Sequence, residues 1–236
     1  MNPPAKHPRN KRHPTNPASM EERFSALDVL SKGIVHEIRN PLAIIQSLVE
    51  RLAQKTEDPS QKKLAEAIVS ETHRLNHLLT EFLQYTKNPS LQHETTSLKT
   101  LIENALTFSI RPGQHSKITL HTDLSESAVI VDPSAFHQVL VNVILNAVQA
   151  MKGEGTLEIQ AKVDAQHFII QIKDEGPGIP EANLQKIFLP SFTTKRGGTG
   201  LGLAISHQII TRHGGMLYFE NNQEKGVTLV IDVPQT

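Results

Sequence analysis

The sequence predicts a long helical hairpin followed by an α+β domain, and three observations support that prediction. Over residues 20–86, apolar side chains recur every three or four positions, which is the spacing of one face of an α-helix. After residue 90, short alternating stretches typical of strands are interleaved with helical ones. The 236 residues contain no cysteine, so the chain must bury an apolar core rather than rely on disulfides or thiolate metal sites.

The composition excludes several classes of function. Lysine and arginine total 24 and aspartate and glutamate total 24, so no whole-protein field attracts nucleic acid or an anionic membrane. Tryptophan is absent and aromatic residues make up 4% of the chain, which disfavours a stacking surface for single-stranded nucleic acid. No apolar run approaches the roughly 18 residues of a transmembrane helix, and no signal peptide is present. We therefore expect a cytoplasmic protein with no nucleic-acid partner and no membrane span.

The first domain is a predicted hairpin behind a polar leader. Residues 1–19 are rich in proline and basic side chains, so we expect them to be disordered. Residues 20–88 form two helices separated at the break Thr56–Pro59. Their apolar seams consist of Ile34, Ile38, Pro41, Ile45, Leu48 and Leu52 in the first helix and of Leu64, Ile68, Glu71, Leu75, Leu78, Phe82 and Tyr85 in the second. Because two helices alone cannot enclose a core, we expect a homodimer with a four-helix bundle.

Residues 89–236 form the second predicted domain, in which turn and capping signals separate the elements. Asp132-Pro133-Ser134 is a typical helix start and precedes a long apolar helix that runs to Met151. Further helices are predicted at Leu98–Phe108 and Gly202–His213, and strands at Ile118–His121, Ala128–Val131, Thr156–Val163, His167–Lys173, Met216–Glu220 and Val227–Val233. This interleaving of helices with neighbouring strands is typical of an α+β layer.

His36 is distinguished by its neighbours on the first helix. At 100° per residue, His36 and Asn40 lie opposite the apolar seam and Glu37 lies at its flank, so the imidazole faces water. Glu37 can accept a proton from it. Proline costs a helix about 3 kcal/mol, yet the seam continues beyond Pro41, so the helix is expected to pass through this residue. A surface histidine without function, and a helix that ends at Pro41, are the alternatives.

The long apolar helix of the second domain carries a narrow polar stripe of Gln138, Asn142, Asn146 and Gln149. Asparagine is a poor helix former, so two asparagines one turn apart indicate a polar task, such as holding a hydrated cation or a phosphate. Amides that simply face water are the alternative interpretation.

Two glycine-containing segments have the composition of ligand loops. Asp174-Glu175-Gly176-Pro177-Gly178 directly follows a strand, where a carboxylate can accept a hydrogen bond from an exocyclic amine and glycines let a ligand approach the backbone. Residues 187–202 place two threonines, Lys195 and Arg196 before four glycines and a helix, which indicates an anion site. Neither the P-loop motif nor the full dinucleotide fingerprint occurs. An ordinary turn and a flexible linker are the respective alternatives.

Five motifs occur in the order and spacing of a known signalling family. They are SKGIVHEIRNPL at 31–42, QVLVNVILNAVQAM at 138–151, DEGPGIP at 174–180, IFLPSFTTK at 187–195 and GGTGLGL at 197–203. They resemble the H, N, G1, F and G2 boxes of the sensor histidine kinases of two-component systems. The resemblance spans roughly residues 20–236. It implies a dimerisation and histidine-phosphotransfer hairpin followed by a Bergerat-fold, α+β ATP-binding sandwich.

The resemblance also implies an activity and its cofactors. The chain would be a protein histidine kinase that uses ATP and Mg²⁺ and passes a phosphoryl group to the receiver domain of a response regulator. His36 would be the phosphoacceptor, Glu37 the base beside it, and Asn40 a residue that places water or assists dephosphorylation of the regulator. Asn142 and Asn146 would hold Mg²⁺ and the phosphates.

The remaining implied contacts to the nucleotide come from the G1, F and G2 boxes. Asp174 would bind the adenine amino group, and Gly176 and Gly178 would shape its pocket. The lid and its phosphate contacts would be formed by Phe188, Phe192, Thr194, Lys195, Gly198, Thr199, Gly200, Leu201 and Gly202.

Three features depart from the family pattern. Ser191 stands where many F boxes have a second phenylalanine, and Gln149 stands where many N boxes have lysine. The lid between Phe188 and Gly198 is short, as in kinases of the nitrogen-regulation type. Because only a polar leader precedes the hairpin, we expect either that a separate sensor or signalling protein supplies the input, or that the sequence is a piece of a longer kinase.

Two other classes of function stay open at this point. One is a dimeric phosphatase or scaffold that binds nucleotide and a regulator without autophosphorylating. The other is an ATPase or protein-serine kinase on the same Bergerat fold. Glu37 and the complete glycine boxes argue against the phosphatase or scaffold. The hairpin with His36 argues against the ATPase or serine kinase, because the resemblance implies no such acceptor in those relatives.

Overall fold

The computed structural model describes residues 17–86, 90–110, 117–195, 198–222 and 225–235, with side chains from residue 33 onward. Most of the predicted leader, and the predicted domain break near residue 88, lie outside this part of the chain. The chain divides into two compact units. The first is the hairpin up to Leu79 together with Thr86, and the second comprises Thr80–Tyr85 and the described residues from Ser90 onward. Among the described residues, no helix has both the length and the apolar character needed to cross a bilayer.

The first unit is a helical hairpin, as the periodicity predicts. The hairpin is formed by α1 (Pro17–Lys55) and α2 (Pro59–Thr86), of which Thr80–Tyr85 belongs to the second unit, and α1 continues through Pro41. Asp58 provides the start signal for α2, because its Oδ1 accepts hydrogen bonds from the backbone N–H and the hydroxyl of Ser60 at 2.8 and 2.9 Å. α1 begins three residues before the predicted Met20, at a proline, which is tolerated in the first turn of a helix.

The hairpin buries one set of side chains and leaves most of the predicted apolar seam exposed. Among the described side chains of α1 and α2, the buried set consists of Val35, Leu42, Ala65, Thr72 and Thr86. In the seam, Leu48, Leu52 and Leu64 remain 60%, 57% and 63% exposed. A contiguous apolar stripe of this kind is suited to contact with another apolar surface rather than with water.

The second unit contains a five-stranded mixed sheet with helices on one face. Its elements are β1 (Glu94–Ser97), α3 (Leu98–Ser109), β2 (Lys117–Leu124), β3 (Ala128–Val131), α4 (Pro133–Ala150), β4 (Glu154–Val163), β5 (His167–Asp174), α5 (Glu181–Leu184), α6 (Gly202–Arg212), β6 (Met216–Asn221) and β7 (Val227–Pro234). The order in the sheet is β2-β4-β5-β7-β6, with β2 and β4 parallel and the other neighbours antiparallel. A separate antiparallel pair joins β1 and β3.

All the helices and strands predicted for the second domain are present, and two short elements are additional. The N-cap at Asp132 is confirmed, since its side chain accepts a hydrogen bond from the N–H of Ala135 at 3.0 Å. The additional elements, β1 and α5, have four residues each, which is too short to show a period in the sequence. β1 is defined by its pairing with β3 rather than by its own residues.

The core lies between the sheet and helices α3, α4 and α6. Phe136 of α4 and Phe168 of β5 are fully buried, with ring centroids 5.6 Å apart. The alternation along β5 turns Phe168, Ile170 and Ile172 inward, and Asp174 follows in the same phase at the end of the strand. Strand geometry therefore places a carboxylate among apolar side chains.

His213 is a buried histidine that follows α6. Its Nδ1–H donates to the Ile209 carbonyl at 2.9 Å, and its Nε2 accepts from the Asp132 N–H at 3.0 Å, which defines the neutral tautomer. The ring also lies edge-on against Phe136 and His93. Burial lowers the pKa of His213. The neutral ring thus ties the start of α4 to the end of α6.

We expect the second unit to lose stability as the pH falls below the ordinary histidine pKa of 6.5. The pKa of His213 is lower in the folded chain than in the unfolded chain, so the unfolded chain binds the proton first and acid favours unfolding. Thermal unfolding from about pH 8 to about pH 5 measures this effect. The fall in Tm should be smaller in His213→Gln, which has no titrating ring, and equal falls in both proteins would contradict the assignment.

Candidate functional site

α1 presents three polar side chains to solvent on one stretch of helix. His36, Glu37 and Asn40 are all exposed, whereas Val35 and Leu42 on the same helix are buried. The prediction that the imidazole faces water is confirmed. An accessible imidazole beside a carboxylate can act as a nucleophile while the carboxylate accepts its proton.

Asp174 is a buried carboxylate at the end of β5 in the second unit. The residue is 5% exposed, and its Oδ1 accepts the Gly176 N–H at 2.7 Å. Burial raises the pKa of Asp174, while hydrogen bonds from the backbone N–H groups of Gly176 and Val227 and the charge of Lys195 oppose that rise. A buried carboxylate fixed in this way is a specific acceptor for an N–H donor of a ligand.

The loop after β5 is shaped by close approach at two glycines. A Cβ on Gly176 would lie 2.8 Å from Asp174 Oδ1 and 3.0 Å from the Cβ of Ala150, so no larger residue fits there without movement. Gly178 has a φ of +79°, a left-handed conformation that side chains rarely adopt. These constraints explain why glycine occupies positions 176 and 178, which the sequence predicts to lie in a ligand loop.

Three residues that sequence reasoning missed hold this loop from the turn after β6. Asn221 contacts both backbone groups of Ile179: its Oδ1 accepts the N–H at 3.1 Å, and its Nδ2 donates to the carbonyl at 3.0 Å. Asn222 Nδ2 lies 3.4 Å from the Asp174 carbonyl oxygen. A Cβ on Gly226 would lie 1.8 Å from that same oxygen. Asn and Gly after a strand indicate only a turn, and nothing in the sequence links them to a loop 42 positions away.

Replacing the Asn221 side chain should loosen the loop without unfolding the domain. In Asn221→Ala the Ile179 N–H loses its acceptor, which is worth about 1 kcal/mol, so its hydrogen exchange should speed up roughly fivefold. Amide exchange followed by NMR measures this directly. Asn183→Ala, in α5, is the matched control and should leave the exchange of Ile179 unchanged. Unaltered exchange in Asn221→Ala would contradict the assigned role.

The polar stripe of α4 contacts the segment that follows β5. Asn142 Nδ2 donates to the Gly202 carbonyl at 3.2 Å. This contact orients the amide and uses its nitrogen, so the Oδ1 of Asn142 is the atom that can accept from or bind a ligand. Lys195 Nζ donates to Asn146 Oδ1 at 2.7 Å and to Gln149 Oε1 at 2.8 Å. Partial desolvation lowers the pKa of Lys195, and the charge of Asp174 opposes this. Gln138 Nε2 donates to Gln84 Oε1 at 2.8 Å. The interpretation that these amides merely face water is therefore wrong for all four stripe residues.

The segment 187–202 is anchored at Phe188 and closed by a backbone contact. The Phe188 ring lies 5.0 Å from His207 of α6 and 5.8 Å from Phe219 of β6, between centroids. Ser191 has a φ of +65°, and its N–H donates to the Gly200 carbonyl at 3.1 Å. A Cβ on Gly200 would lie 2.6 Å from the Phe192 carbonyl oxygen. Close backbone contact accounts for Gly200, and Ser191 takes a conformation in which a bulky side chain would be strained.

The remaining predicted residues of this segment lead into the start of α6. The Gly198 N–H donates to the Lys195 carbonyl at 3.2 Å, and Thr199 Oγ1 accepts the Leu201 N–H at 3.3 Å. Thr194 is exposed and Phe192 is partly buried. Gly202 is the first residue of α6, whose N-terminus has no side-chain cap. Arg196 lies outside the described residues. Uncapped N–H groups at a helix start are donors suited to an anion.

The donor set fits a nucleotide and a divalent cation. Asn146 Oδ1 already receives a cation, the Lys195 ammonium, and Asn142 offers a second amide oxygen on the same helix face. In the described part of the chain, no cluster of three or more histidine or acidic side chains is arranged for a metal. A cation here must therefore combine amide oxygens with oxygens of the ligand itself, which is the mode typical of Mg²⁺.

The structure places the predicted site residues in two groups. The second unit brings together those of α4, the Asp174 loop and the segment 187–202, through the contacts described above. The exposed trio on α1 belongs to the first unit. The residues that complete the second group without being predicted are Gln149, His207, Phe219, Asn221, Asn222 and Gly226.

Two family models match separate parts of the chain. The model described as the His Kinase A (phospho-acceptor) domain matches residues 26–91, which include the α1 trio. The model described as the histidine kinase-, DNA gyrase B- and HSP90-like ATPase matches residues 131–236, which include the second group of site residues.

Curated relatives carry both regions in the same order. The sensor histidine kinase ZraS of Salmonella typhimurium is 35% identical over 218 residues, covering 91% of this chain and 47% of ZraS. The signal transduction histidine-protein kinase AtoS of Escherichia coli K12 is 34% identical over 217 residues, covering 90% of this chain and 36% of AtoS. The chain thus spans about half or less of the length of these relatives.

Solved structures with the same architecture include histidine kinase domains. The catalytic domain of histidine kinase ThkA is 33% identical, with a TM-score of 0.57, and covers 62% of this chain and 97% of that domain. ThkA in complex with the response regulator protein TrrA is 33% identical with a TM-score of 0.67, covering 92% of this chain and 64% of that one. ShkA in complex with AMPPNP, at 21% identity and a TM-score of 0.70, supports the fold alone.

Proposed function

The chain belongs to the histidine kinases of two-component signalling, and from that premise we propose that it phosphorylates its own His36 with ATP and passes the phosphoryl group to an aspartate of a response regulator. The observation that carries the proposal is the pairing, in one chain, of an exposed His36 and Glu37 in a phospho-acceptor domain with a buried Asp174 in an ATP-binding domain. We assign the phosphoacceptor hairpin to residues 20–88 and the catalytic domain to residues 89–236.

At the acceptor, an imidazole nitrogen of His36 attacks the γ-phosphorus of ATP. A nitrogen–phosphorus bond forms, the bond from phosphorus to the bridging oxygen of ADP breaks, and ADP leaves with that electron pair. The other imidazole nitrogen releases its proton to Glu37. The exposure of both side chains on α1 supports these roles, because an in-line transfer needs open access to the acceptor.

The adenine end of ATP is assigned to the Asp174 loop. The Asp174 carboxylate accepts a hydrogen bond from the adenine amino group, and Gly176 and Gly178 let the base approach the backbone. Burial of Asp174 supports this role, because a water-excluded acceptor left unpaired by a wrong base is costly. The clamp of Asn221 on Ile179 keeps the loop in its binding conformation.

The phosphate end is assigned to α4, the lid and the start of α6. Asn142 and Asn146 would hold Mg²⁺ through their amide oxygens, and the ion would neutralise charge on the phosphate oxygens. Lys195 supplies a second positive charge from the lid. The backbone N–H groups at the N-terminal end of α6, which no side chain caps, bind phosphate oxygens, and Gly198, Gly200 and Gly202 let the lid lie close to the phosphates. The lid is anchored by Phe188 and Phe192, with Thr194, Thr199 and Leu201 shaping its two ends.

The hairpin is assigned as a homodimerisation unit. Its exposed seam, which includes Leu48, Leu52 and Leu64, provides the apolar surface that a second copy of the same hairpin can cover. A four-helix bundle formed in this way buries both seams and leaves His36 on its outer surface. The chain's lack of cysteine suits a reducing compartment, and we propose that the dimer works in the cytoplasm.

The proposed acceptor of the phosphoryl group is a receiver domain. A relative, ThkA, forms a complex with a response regulator protein, which supports this class of partner. The aspartate carboxylate of the receiver attacks phosphorus, an oxygen–phosphorus bond replaces the nitrogen–phosphorus bond, and His36 regains a proton. Asn40, one turn from His36, is positioned to place the water that later hydrolyses the aspartyl phosphate.

The experiment that tests the proposed function follows the phosphoryl group through both steps. The protein is incubated with γ-labelled ATP and Mg²⁺, freed of nucleotide, and mixed with purified receiver domains. The expected result is an acid-labile label on the kinase that moves to one receiver within minutes. Dephosphorylation of a receiver without any label on His36 would identify a phosphatase or scaffold. Phosphate release that persists in His36→Gln would identify an ATPase.

A further inference from the structure

One lid contact involves a residue to which the family resemblance gives no role. Lys195 Nζ bridges two amide oxygens of α4, Asn146 Oδ1 at 2.7 Å and Gln149 Oε1 at 2.8 Å. Asn146 and Gln149 are three positions apart, so they are neighbours on one face of the helix. The lid lysine is thus held by a pair of acceptors rather than by one.

The two acceptors differ in what they can do once a nucleotide binds. Asn146 is assigned to Mg²⁺, so its oxygen must exchange the lysine for the metal. Gln149 has no such second task. A lysine ammonium can only donate hydrogen bonds, and it sits at the end of a flexible four-carbon side chain. Contact with an acceptor therefore restricts the positions that the ammonium can occupy. Gln149 can therefore keep Lys195 beside the phosphates after Asn146 has turned to the metal.

We propose that Gln149 is a positioning residue for ATP binding, which holds the Lys195 ammonium over the polar stripe of α4 so that the lid's cation is in place when the phosphates arrive. The proposal rests on the proposed function for its ligand. The 2.8 Å contact of Gln149 Oε1 with Nζ gives the ammonium a second acceptor on the same helix face. Gln149 thus maintains the position of the lysine.

The test combines Gln149→Met, Lys195→Met and the double variant in the full chain. Methionine keeps much of the length of both side chains and removes the acceptor or the charge. Affinity for a non-hydrolysable ATP analogue with Mg²⁺ is measured by calorimetry. We expect Gln149→Met to weaken binding roughly fivefold, as for loss of one solvent-exposed hydrogen bond. The double variant should bind within about twofold of Lys195→Met, because Gln149 acts through the lysine.

One further measurement distinguishes positioning from a structural role. In the nucleotide-free protein, the NMR signal of the Lys195 ammonium should broaden or disappear in Gln149→Met. Gln171→Met, an exposed glutamine on the outer face of β5, is the matched control and should behave as wild type.

The losses from the two single variants would multiply in the double variant if Gln149 acted independently of Lys195, and that result would overturn the proposal. Unchanged affinity in Gln149→Met would overturn it as well. Failure of the proposed function is a different outcome: wild type would then bind the analogue but never form phosphorylated His36. The binding and NMR measurements do not depend on phosphorylation.

Discussion

His36→Gln should carry no acid-labile phosphoryl group after incubation with ATP and Mg²⁺. The substitution removes the nitrogen that attacks phosphorus, and loss of a nucleophile lowers a reaction by about 10³-fold or more. His36 is exposed, whereas Val35 and Leu42 are the buried side chains in this part of α1. Replacing His36 removes no buried contact, so the hairpin should remain folded. Labelling with γ-labelled ATP, followed by a brief acid treatment, measures the effect.

The control for this variant is His73→Gln, an exposed histidine on α2. It should label at the wild-type rate, because the proposed reaction uses a single imidazole. Nucleotide affinity in His36→Gln should also stay within about twofold of wild type, since the proposed nucleotide-binding residues belong to the second unit and His36 to the first. Acid-labile label that persists in His36→Gln would contradict the assignment of the acceptor.

Asp174→Asn should weaken nucleotide binding by about two orders of magnitude. The carboxylate offers acceptors to the Gly176 N–H, to the Val227 N–H and to the ligand, whereas an amide must aim an NH₂ group at one of those positions. Losing a charged acceptor at a buried site costs about 2 to 3 kcal/mol. Calorimetry with a non-hydrolysable ATP analogue and Mg²⁺ measures the change.

Asp123→Asn, an exposed aspartate on β2, is the matched control for charge removal and should bind as wild type. Thermal unfolding shows whether Asp174→Asn retains the fold. A folded Asp174→Asn that binds the analogue as tightly as wild type would remove Asp174 from the site. Equal binding of GTP and ATP analogues by the wild type would also contradict its role, because guanine lacks the amino group that adenine presents at that position.

The parts of the fold that the sequence predicts are those in which a helical or strand periodicity continues over many residues. The seam of α1 continues for several turns on each side of Pro41, so apolar spacing alone indicates an unbroken helix. The alternation in β5 likewise predicts the strand, whereas the burial of Asp174 at its end is seen only in the structure. The four residues of β1 could not be predicted, because the pairing with β3 rather than a pattern in ETTS defines that strand.

The candidate site was predictable where a residue type is unusual in its local setting, such as asparagine on an apolar helix. Asn142 and Asn146 are unusual on an apolar helix, and Gly200 lies where a Cβ would meet the Phe192 backbone. The supporting residues carry no such signal. From the sequence alone, Asn221 indicates only a turn, and its contact with Ile179 is seen only in the fold. Gln149 is likewise only a departure from the family's usual lysine until the structure shows Lys195 donating to its oxygen. Long-range contacts of this kind depend on tertiary structure.

Locating the phosphoryl group on the wild-type protein tests the central claim most directly. After incubation with ATP and Mg²⁺, intact-mass measurement and peptide mapping under neutral conditions give the number and position of phosphoryl groups. The account predicts one group per chain, on His36, that is lost in acid and retained in base. A group on serine or threonine that survives acid, or phosphate release without any phosphorylated chain, would contradict it.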